Sequence, residues 1–147
     1  NLLKQVAEAR TSEARGKEPK YWKYVPETPE EIANAPSTIV KEASEYYRTE
    51  RCFYPTTTNR YLVSSNDKLA AWDAFSHIET VSPRPILLIV GSKADTLYYS
   101  EDCYQKALEP KEIFTIQDAT HVDLYDKPQF VEQVVAKLVS YFNQYLG

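Results

Sequence analysis

The sequence predicts an α/β fold, and its two parts contribute to that prediction differently. Residues 83–147 read as strand, helix, strand, helix, beginning with the continuous apolar run Ile86–Val90. Such a run is typical of a strand that is buried on both faces of a parallel sheet. A strand-helix-strand order places the two strands side by side and parallel. Residues 1–82 read mainly as helices interrupted by prolines, so we expect a helical region over 1–82 and an α/β region over 83–147.

Apolar spacing and capping residues define the elements of the helical region. Residues 2–15 carry an apolar stripe and are followed by Gly16, a natural stop. Thr28 and Pro29 indicate a short helix, because threonine caps a first turn and proline fits its first position. The same spacing predicts two further helices, over residues 38–51 and 66–75.

In the α/β region, Gly91 ends the first strand and residues 113–116 form a second. Ser100 is expected to cap a helix between the strands, since acidic residues follow it in the first turn. Pro128 opens a long final helix. Its apolar side chains share one broad face: Phe130, Val131, Val134, Val135, Leu138, Phe142 and Tyr145.

Charge and hydropathy exclude some partners. The net charge is -4, and residues 61–147 carry 12 acidic against 7 basic side chains. This balance argues against a nucleic-acid surface. An apolar run of five residues is far too short to cross a membrane, so we expect no membrane partner.

The cysteines indicate the cellular compartment of the protein, and the first residue indicates whether the chain is part of a longer polypeptide. Cys52 and Cys103 fit neither a metal motif nor a disulfide framework, so we expect two buried thiols, no metal and a cytoplasmic protein. No signal-peptide pattern is visible. The chain has no methionine and begins with Asn1, so we expect part of a larger or processed polypeptide.

Two polar segments follow the predicted parallel strands. Asp95 comes shortly after the first strand and His121 shortly after the second. Functional groups of open α/β sheets gather at the carboxyl ends of the strands, so these two side chains are expected at one edge. An aspartate that orients a histidine is two-thirds of a nucleophilic triad.

Simpler roles remain open for both residues. His121 could be a loop histidine paired with one of its acidic neighbours, Asp118, Asp123 or Asp126. Asp95 could be a helix or turn cap, and Asp123 and Asp102 are weaker candidates for a catalytic acid.

Residues 83–146 resemble the C-terminal part of the α/β-hydrolase fold. The resemblance rests on Pro85–Gly91, Ala94-Asp95, Ala119-Thr120-His121 and the closing helix. It implies a chain order of nucleophilic serine, then acid, then histidine, with Asp95 and His121 in the last two positions. It also implies that residues 1–82 are a helical cap or insertion. Three further segments look most like dienelactone-hydrolase-like bacterial proteins: Asn59–Leu62, Tyr99–Glu101 and His121–Asp126.

The sequence departs from this family at the nucleophile. The family's serine lies on a Gly-x-Ser-x-Gly elbow, and glycines occur here only at positions 16, 91 and 147. We therefore expect the C-terminal portion of a serine α/β-hydrolase that acts on an ester, lactone or related acyl bond. It would need no cofactor, and the family's N-terminal half or a companion or swapped chain would complete it.

The alternative is a catalytically incomplete fragment or a non-catalytic subunit that needs a companion chain to fold. A homo-oligomer is possible under either hypothesis. If the chain does bind a small acyl substrate, three aromatic residues are candidates for the pocket: Tyr98, Tyr99 and Trp22.

Overall fold

The computed structural model describes residues 1–147, which fall into two units. The first unit comprises Asn1–Ala35 and Ser44–Ala74, and the second comprises Pro36–Ala43 and Phe75–Gly147. The role of residues 1–82 as a cap stays a prediction.

Most of the regular elements of the first unit are helices. Its elements are α1 (Leu2–Ala14), β1 (Tyr21–Trp22), α2 (Pro29–Ala33), the second half of α3 (Thr38–Tyr47), β2 (Tyr61–Leu62), a 3-10 turn (Val63–Ser65) and α4 (Asn66–Ala71). Val6 and Ala9 of α1 are buried together with Val63. The short strands β1 and β2 pair antiparallel, which the sequence does not predict.

The predicted cap of α2 is confirmed. Thr28 Oγ1 accepts the Glu31 N–H at 3.2 Å, and the Glu31 carboxylate accepts the Thr28 N–H at 3.1 Å. This reciprocal pair satisfies N–H groups that a helix start leaves without partners. The Glu27 N–H, the Lys23 ammonium and the Thr28 N–H lower the pKa of Glu31 to about 2.

The second unit has the predicted α/β order. Its elements after the first turns of α3 are a 3-10 turn (Ile78–Val81), β3 (Ile86–Gly91), α5 (Leu97–Lys106), β4 (Lys111–Ile116), α6 (Asp123–Asp126) and α7 (Pro128–Leu146). β3 and β4 are parallel and in step, with Ile86 opposite Lys111 and Gly91 opposite Ile116. α5 packs against both strands and α7 against β4. The α/β class with parallel strands is therefore confirmed.

Three helix boundaries differ from the sequence-based expectation. α3 ends at Tyr47 and not at residue 51, and α4 ends at Ala71 and not at residue 75. The residue after α4, Trp72, has an extended backbone with φ -90° and ψ 131°. α5 begins at Leu97, so the prediction that Ser100 caps this helix is wrong. A tight turn in which the Leu97 N–H binds the Ala94 carbonyl at 3.0 Å starts the helix earlier.

Burial also departs from expectation in two places. The side chains of Ile86–Ile89 are only half-buried, because the sheet within this chain has two strands and each has one unpaired edge. Cys103 is buried as predicted, whereas Cys52 is exposed, because the segment that follows α3 lies at the surface of the first unit. None of the helices combines the length and apolar character needed to cross a membrane.

Candidate active site

The loops that follow β3 and β4 are joined by backbone hydrogen bonds. The strands end opposite one another at Gly91 and Ile116. Just beyond, the Ser92 N–H donates to the Ile116 carbonyl at 2.9 Å, and the Lys93 N–H donates to the Ala119 carbonyl at 2.9 Å. The segments that carry Asp95 and His121 therefore leave one edge of the sheet as a connected pair.

Gly91 is required for this close approach. A Cβ atom at this position would lie 2.7 Å from the Thr120 carbonyl oxygen and closer still to the Ala119 carbonyl oxygen. Real Cβ atoms do not approach a backbone oxygen so closely, and Ala119 is fully buried. Only glycine lets the His121 loop pack directly on the end of β3.

Two of the acidic neighbours of His121 bind other groups. The exposed Asp118 forms an ion pair with Lys93 at 2.7 Å. The buried Asp123 accepts the Thr120 N–H at 3.1 Å and contacts the Lys127 ammonium at 2.5 Å. Burial alone would raise the pKa of Asp123, but these two partners outweigh it and the pKa lies below its usual value. These carboxylates shape the loop and do not contact the imidazole.

His121 is held by two hydroxyl groups. Its Nδ1 lies 2.9 Å from Thr96 Oγ1, and its Nε2 lies 2.8 Å from the Tyr125 hydroxyl. The rings of His121 and Tyr125 meet edge to face, with centroids 5.5 Å apart. The imidazole is half-buried, and both of its nitrogen atoms have a defined partner.

Asp95 lies at the same edge but does not bind His121. Its Oδ2 accepts the backbone N–H of Ile39, in the first turn of α3, at 3.0 Å. No hydrogen bond or ion pair joins its carboxylate to the imidazole. The expected Asp–His contact is absent from this arrangement, and the position next along the chain, Thr96, supplies the partner of Nδ1.

A cavity of about 520 Å³ opens beside His121. Its polar lining is His121, Tyr125, Thr96, Tyr99 and Ser100, and its remaining lining is Ile89, Val90, Gly91, Ala94, Leu124 and Val134. An apolar cavity with a few convergent polar groups is the usual form of a small-molecule site.

The aromatic pocket candidates differ in position. Tyr99 lines the cavity, and Tyr98 stacks against Tyr99 with ring centroids 4.2 Å apart. The hydrogen bond with Tyr99 raises the pKa of Tyr98 above its usual value. Trp22 lies in the first unit, where its ring packs edge-on against Tyr61. No group of three or more His, Cys, Asp or Glu side chains could hold a metal ion.

Thr96, Tyr125 and Ile39 are site residues that the sequence-based reasoning did not find. Tyr125 lies four residues after His121, a spacing that brings side chains together within one helical turn, and this signal could have identified it. The contact of Ile39 with Asp95 joins residues 56 apart in sequence, and no local pattern announces it.

The parallel strands, the helix packing and the loops at the carboxyl edge give this chain an α/β-hydrolase-like fold. No protein-family model matches the sequence. The α/β hydrolase GrgF from Penicillium sp. sh18 superposes with a TM-score of 0.72 at 21% identity, over 98% of this chain and 48% of GrgF.

Two bacterial proteins are more similar in sequence. YcjY of Escherichia coli K12 is 30% identical over 94% of this chain and 44% of its own length. PA2218 of Pseudomonas aeruginosa is 32% identical over 85% of this chain and 33% of its own length. The crystal structure of PA2218 superposes with a TM-score of 0.84 over 98% of this chain and 44% of that structure. This chain therefore spans less than half the length of the relatives that it matches.

Proposed function

We propose that this chain supplies the base and the acid of a Ser-Asp-His triad in a serine α/β-hydrolase. The observation that carries the proposal is the position of His121. It follows the carboxyl end of β4, has a partner at each ring nitrogen and lines a mainly apolar cavity. A base in such a place can take a proton from a nucleophile and return it to a leaving group.

The proposed reaction is acyl transfer to a serine and then to water. The serine oxygen bonds to the acyl carbon while its proton moves to His121 Nε2. The bond from the acyl carbon to the leaving oxygen then breaks, and the same proton passes from Nε2 to that oxygen. Water then bonds to the acyl carbon while one of its protons moves to Nε2. The bond from the acyl carbon to the serine oxygen breaks, that proton passes to the serine oxygen, and the acid is released. His121 is therefore unchanged after one turnover.

Asp95 is the proposed acid of the triad. Only its Oδ2 atom is hydrogen-bonded, to the Ile39 N–H, so Oδ1 remains available to accept a proton-bearing Nδ1. The proposal requires a rotation of the side chain or the loop in which this oxygen replaces the Thr96 hydroxyl at Nδ1. In that arrangement the carboxylate would stabilise the imidazolium that forms during proton transfer.

The nucleophile is proposed to come from outside these 147 residues, because no Gly-x-Ser-x-Gly sequence occurs in them. The source would be an N-terminal half, a companion chain or a swapped copy. Three features support a nucleophile from outside these residues. The matched relatives are more than twice as long, both strands of the β3–β4 sheet have an unpaired edge, and α7 exposes Val135, Val139 and Phe142.

An ester, a lactone or a related acyl compound is the proposed substrate, and dienelactone-like compounds fall within this class. Tyr98 and Tyr99 remain the proposed aromatic contacts, with Tyr99 supported by its place in the cavity lining. Trp22, which lies in the first unit, stays a prediction from the sequence. The proposed location is the cytoplasm, where unpaired cysteines such as Cys52 and Cys103 stay reduced.

The proposal is tested by measuring the turnover of short acyl esters. The sample is a polypeptide, or an assembly, in which this chain is joined to a segment that carries Gly-x-Ser-x-Gly. His121→Ala is expected to lower kcat by about four orders of magnitude, because the loss of one triad member removes most of the catalysis. His77→Asn is the matched control, since the side chain of His77 is exposed, its ion-pair partner is Glu79, and asparagine tolerates the left-handed backbone at this position. Full turnover by the His121→Ala protein would overturn the proposal.

A second candidate function is a non-catalytic subunit or an incomplete fragment that folds with a companion. The half-buried β3 strand and the exposed apolar residues of α7 favour it. The same assay separates the two candidates. Turnover that depends on His121 supports the enzyme, whereas a stable assembly that contains the nucleophile segment and has no turnover supports the subunit.

A further inference from the structure

The two hydroxyl groups that hold His121 differ in chemistry. Thr96 carries an aliphatic hydroxyl at Nδ1 and Tyr125 carries a phenol at Nε2, at 2.9 and 2.8 Å. A phenol ionises near pH 10 and is far more acidic than an aliphatic alcohol, so it is the stronger donor. Its oxygen shares electron density with the ring and is the poorer acceptor.

A neutral imidazole has one donor and one acceptor nitrogen, so only two arrangements satisfy both contacts. In one, Nδ1–H donates to Thr96 and the Tyr125 hydroxyl donates to Nε2. In the other, both directions are reversed, and the phenol oxygen must accept while the alcohol donates. In the first arrangement the phenol, which is the better donor, donates, and the aliphatic hydroxyl, which is the better acceptor, accepts. The first arrangement is therefore the more stable of the two.

We propose that Thr96 and Tyr125 are positioning residues that hold the neutral imidazole of His121 in its Nδ1–H tautomer. This inference rests on the proposed function in one respect, namely that Nε2 is the atom that takes the proton from a nucleophile. The Nδ1–H tautomer leaves the single lone pair of Nε2 directed at the Tyr125 hydroxyl, which a nucleophile's hydroxyl would have to displace.

This arrangement explains how the Asp95 carboxylate can bind the first turn of α3 instead of His121. In a triad, the aspartate ordinarily fixes the histidine tautomer. As long as the Asp95 carboxylate binds the first turn of α3 through Ile39, the Thr96 hydroxyl performs that task in its place. Thr96 can do so because it directly follows Asp95 and occupies the N-cap position of α5, where its side chain makes no capping hydrogen bond.

Nitrogen NMR of the imidazole tests the proposal in this chain. The sequence has two histidines, and His77→Asn leaves only the His121 signals. Asparagine suits that position because the backbone of His77 is left-handed, with φ 66°. Spectra are recorded at about pH 8.5, where an ordinary imidazole is neutral.

In the His77→Asn protein, the Nδ1–H tautomer is expected to exceed the Nε2–H tautomer by about tenfold, since each of the two hydrogen bonds is stronger in the direction that this tautomer requires. Tyr125→Phe and Thr96→Val are each expected to shift this ratio toward Nε2–H by about threefold, because each contact supplies about half of the tenfold preference. Thr96→Ser keeps a hydroxyl and should restore the original ratio.

Ser100→Ala is the matched control, because Ser100 lines the same cavity and forms no hydrogen bond with His121. A predominant Nε2–H form in the His77→Asn protein would overturn the proposal, even if a further variant failed to fold. So would an unchanged ratio in either Tyr125→Phe or Thr96→Val, or an equal shift in Ser100→Ala. The readout does not depend on ester hydrolysis, so this inference and the hydrolase proposal can fail separately.

Discussion

At the scale of single residues, Gly91 sets the distance between the two site loops. It ends β3 at the point where the backbone of the His121 loop crosses it, and any side chain there would meet the Ala119 and Thr120 carbonyl oxygens. Both oxygens belong to backbone that cannot rotate away as a flexible side chain could. A larger residue at position 91 must therefore move the loop or the end of the strand.

Gly91→Ala is expected to lower the free energy of unfolding by about 1–3 kcal/mol, as overpacking in a close-packed region does. Urea denaturation followed by circular dichroism measures the loss. Gly16→Asn is the control, because Gly16 has φ +75° and no heavy atom lies within 4 Å of a Cβ built there. Asparagine tolerates that backbone, so its effect should be small, and equal losses in both variants would contradict the steric explanation.

The sequence predicts part of the candidate site at this scale. His121 and Asp95 could be found because each follows a strand that has a strong local signal, and the structure places both at one edge of the sheet. Their partners could not be found in the same way. A hydrogen bond depends on the direction of a side chain, and the sequence does not reveal whether Nδ1 will meet Asp95 or the neighbouring Thr96.

At the scale of elements, Asp95 connects a loop of the sheet edge to the start of α3. Helix N-termini have N–H groups without partners and a partial positive charge, both of which favour a carboxylate. The first turn of α3 contains no acidic residue of its own. Asp95 supplies this charge from a distant part of the sequence and binds the Ile39 N–H.

Asp95→Ala is expected to speed the hydrogen exchange of the Ile39 amide by about fivefold, because the loss of a helix cap typically costs about 1 kcal/mol. Exchange followed by NMR measures it residue by residue. Asp102→Ala removes an exposed carboxylate from α5 and serves as the control. No change at Ile39 in Asp95→Ala, or the same change in both variants, would contradict a capping role.

Elements with strong local patterns were predicted well. The apolar runs of β3 and β4, the cap of α2 and the amphipathic spacing of α7 each act within a few residues. The β1–β2 pair was missed because each strand has two residues and its partner is far away in sequence. Ser100 misled the prediction of α5, because a tight turn nearer to β3 begins that helix without a side-chain cap.

At the scale of the whole molecule, the fold class follows from the order of elements, and the absence of a Gly-x-Ser-x-Gly motif follows from the positions of the three glycines. A two-stranded parallel sheet with open edges is an incomplete version of a buried sheet. The exposed side chains of Val135, Val139 and Phe142 on α7 add apolar surface that a complete sheet or a partner would cover. Both features agree with a chain that spans less than half of its relatives.

The most direct test of the account is covalent labelling by a fluorophosphonate, with the modified residue identified by mass spectrometry. In an assembly of this chain with a Gly-x-Ser-x-Gly segment, we expect the adduct on the serine of that segment and on no residue of these 147. His121→Ala should abolish the labelling, while His77→Asn should leave it unchanged. An adduct on a residue of this chain, or full labelling in the His121→Ala protein, would contradict the account.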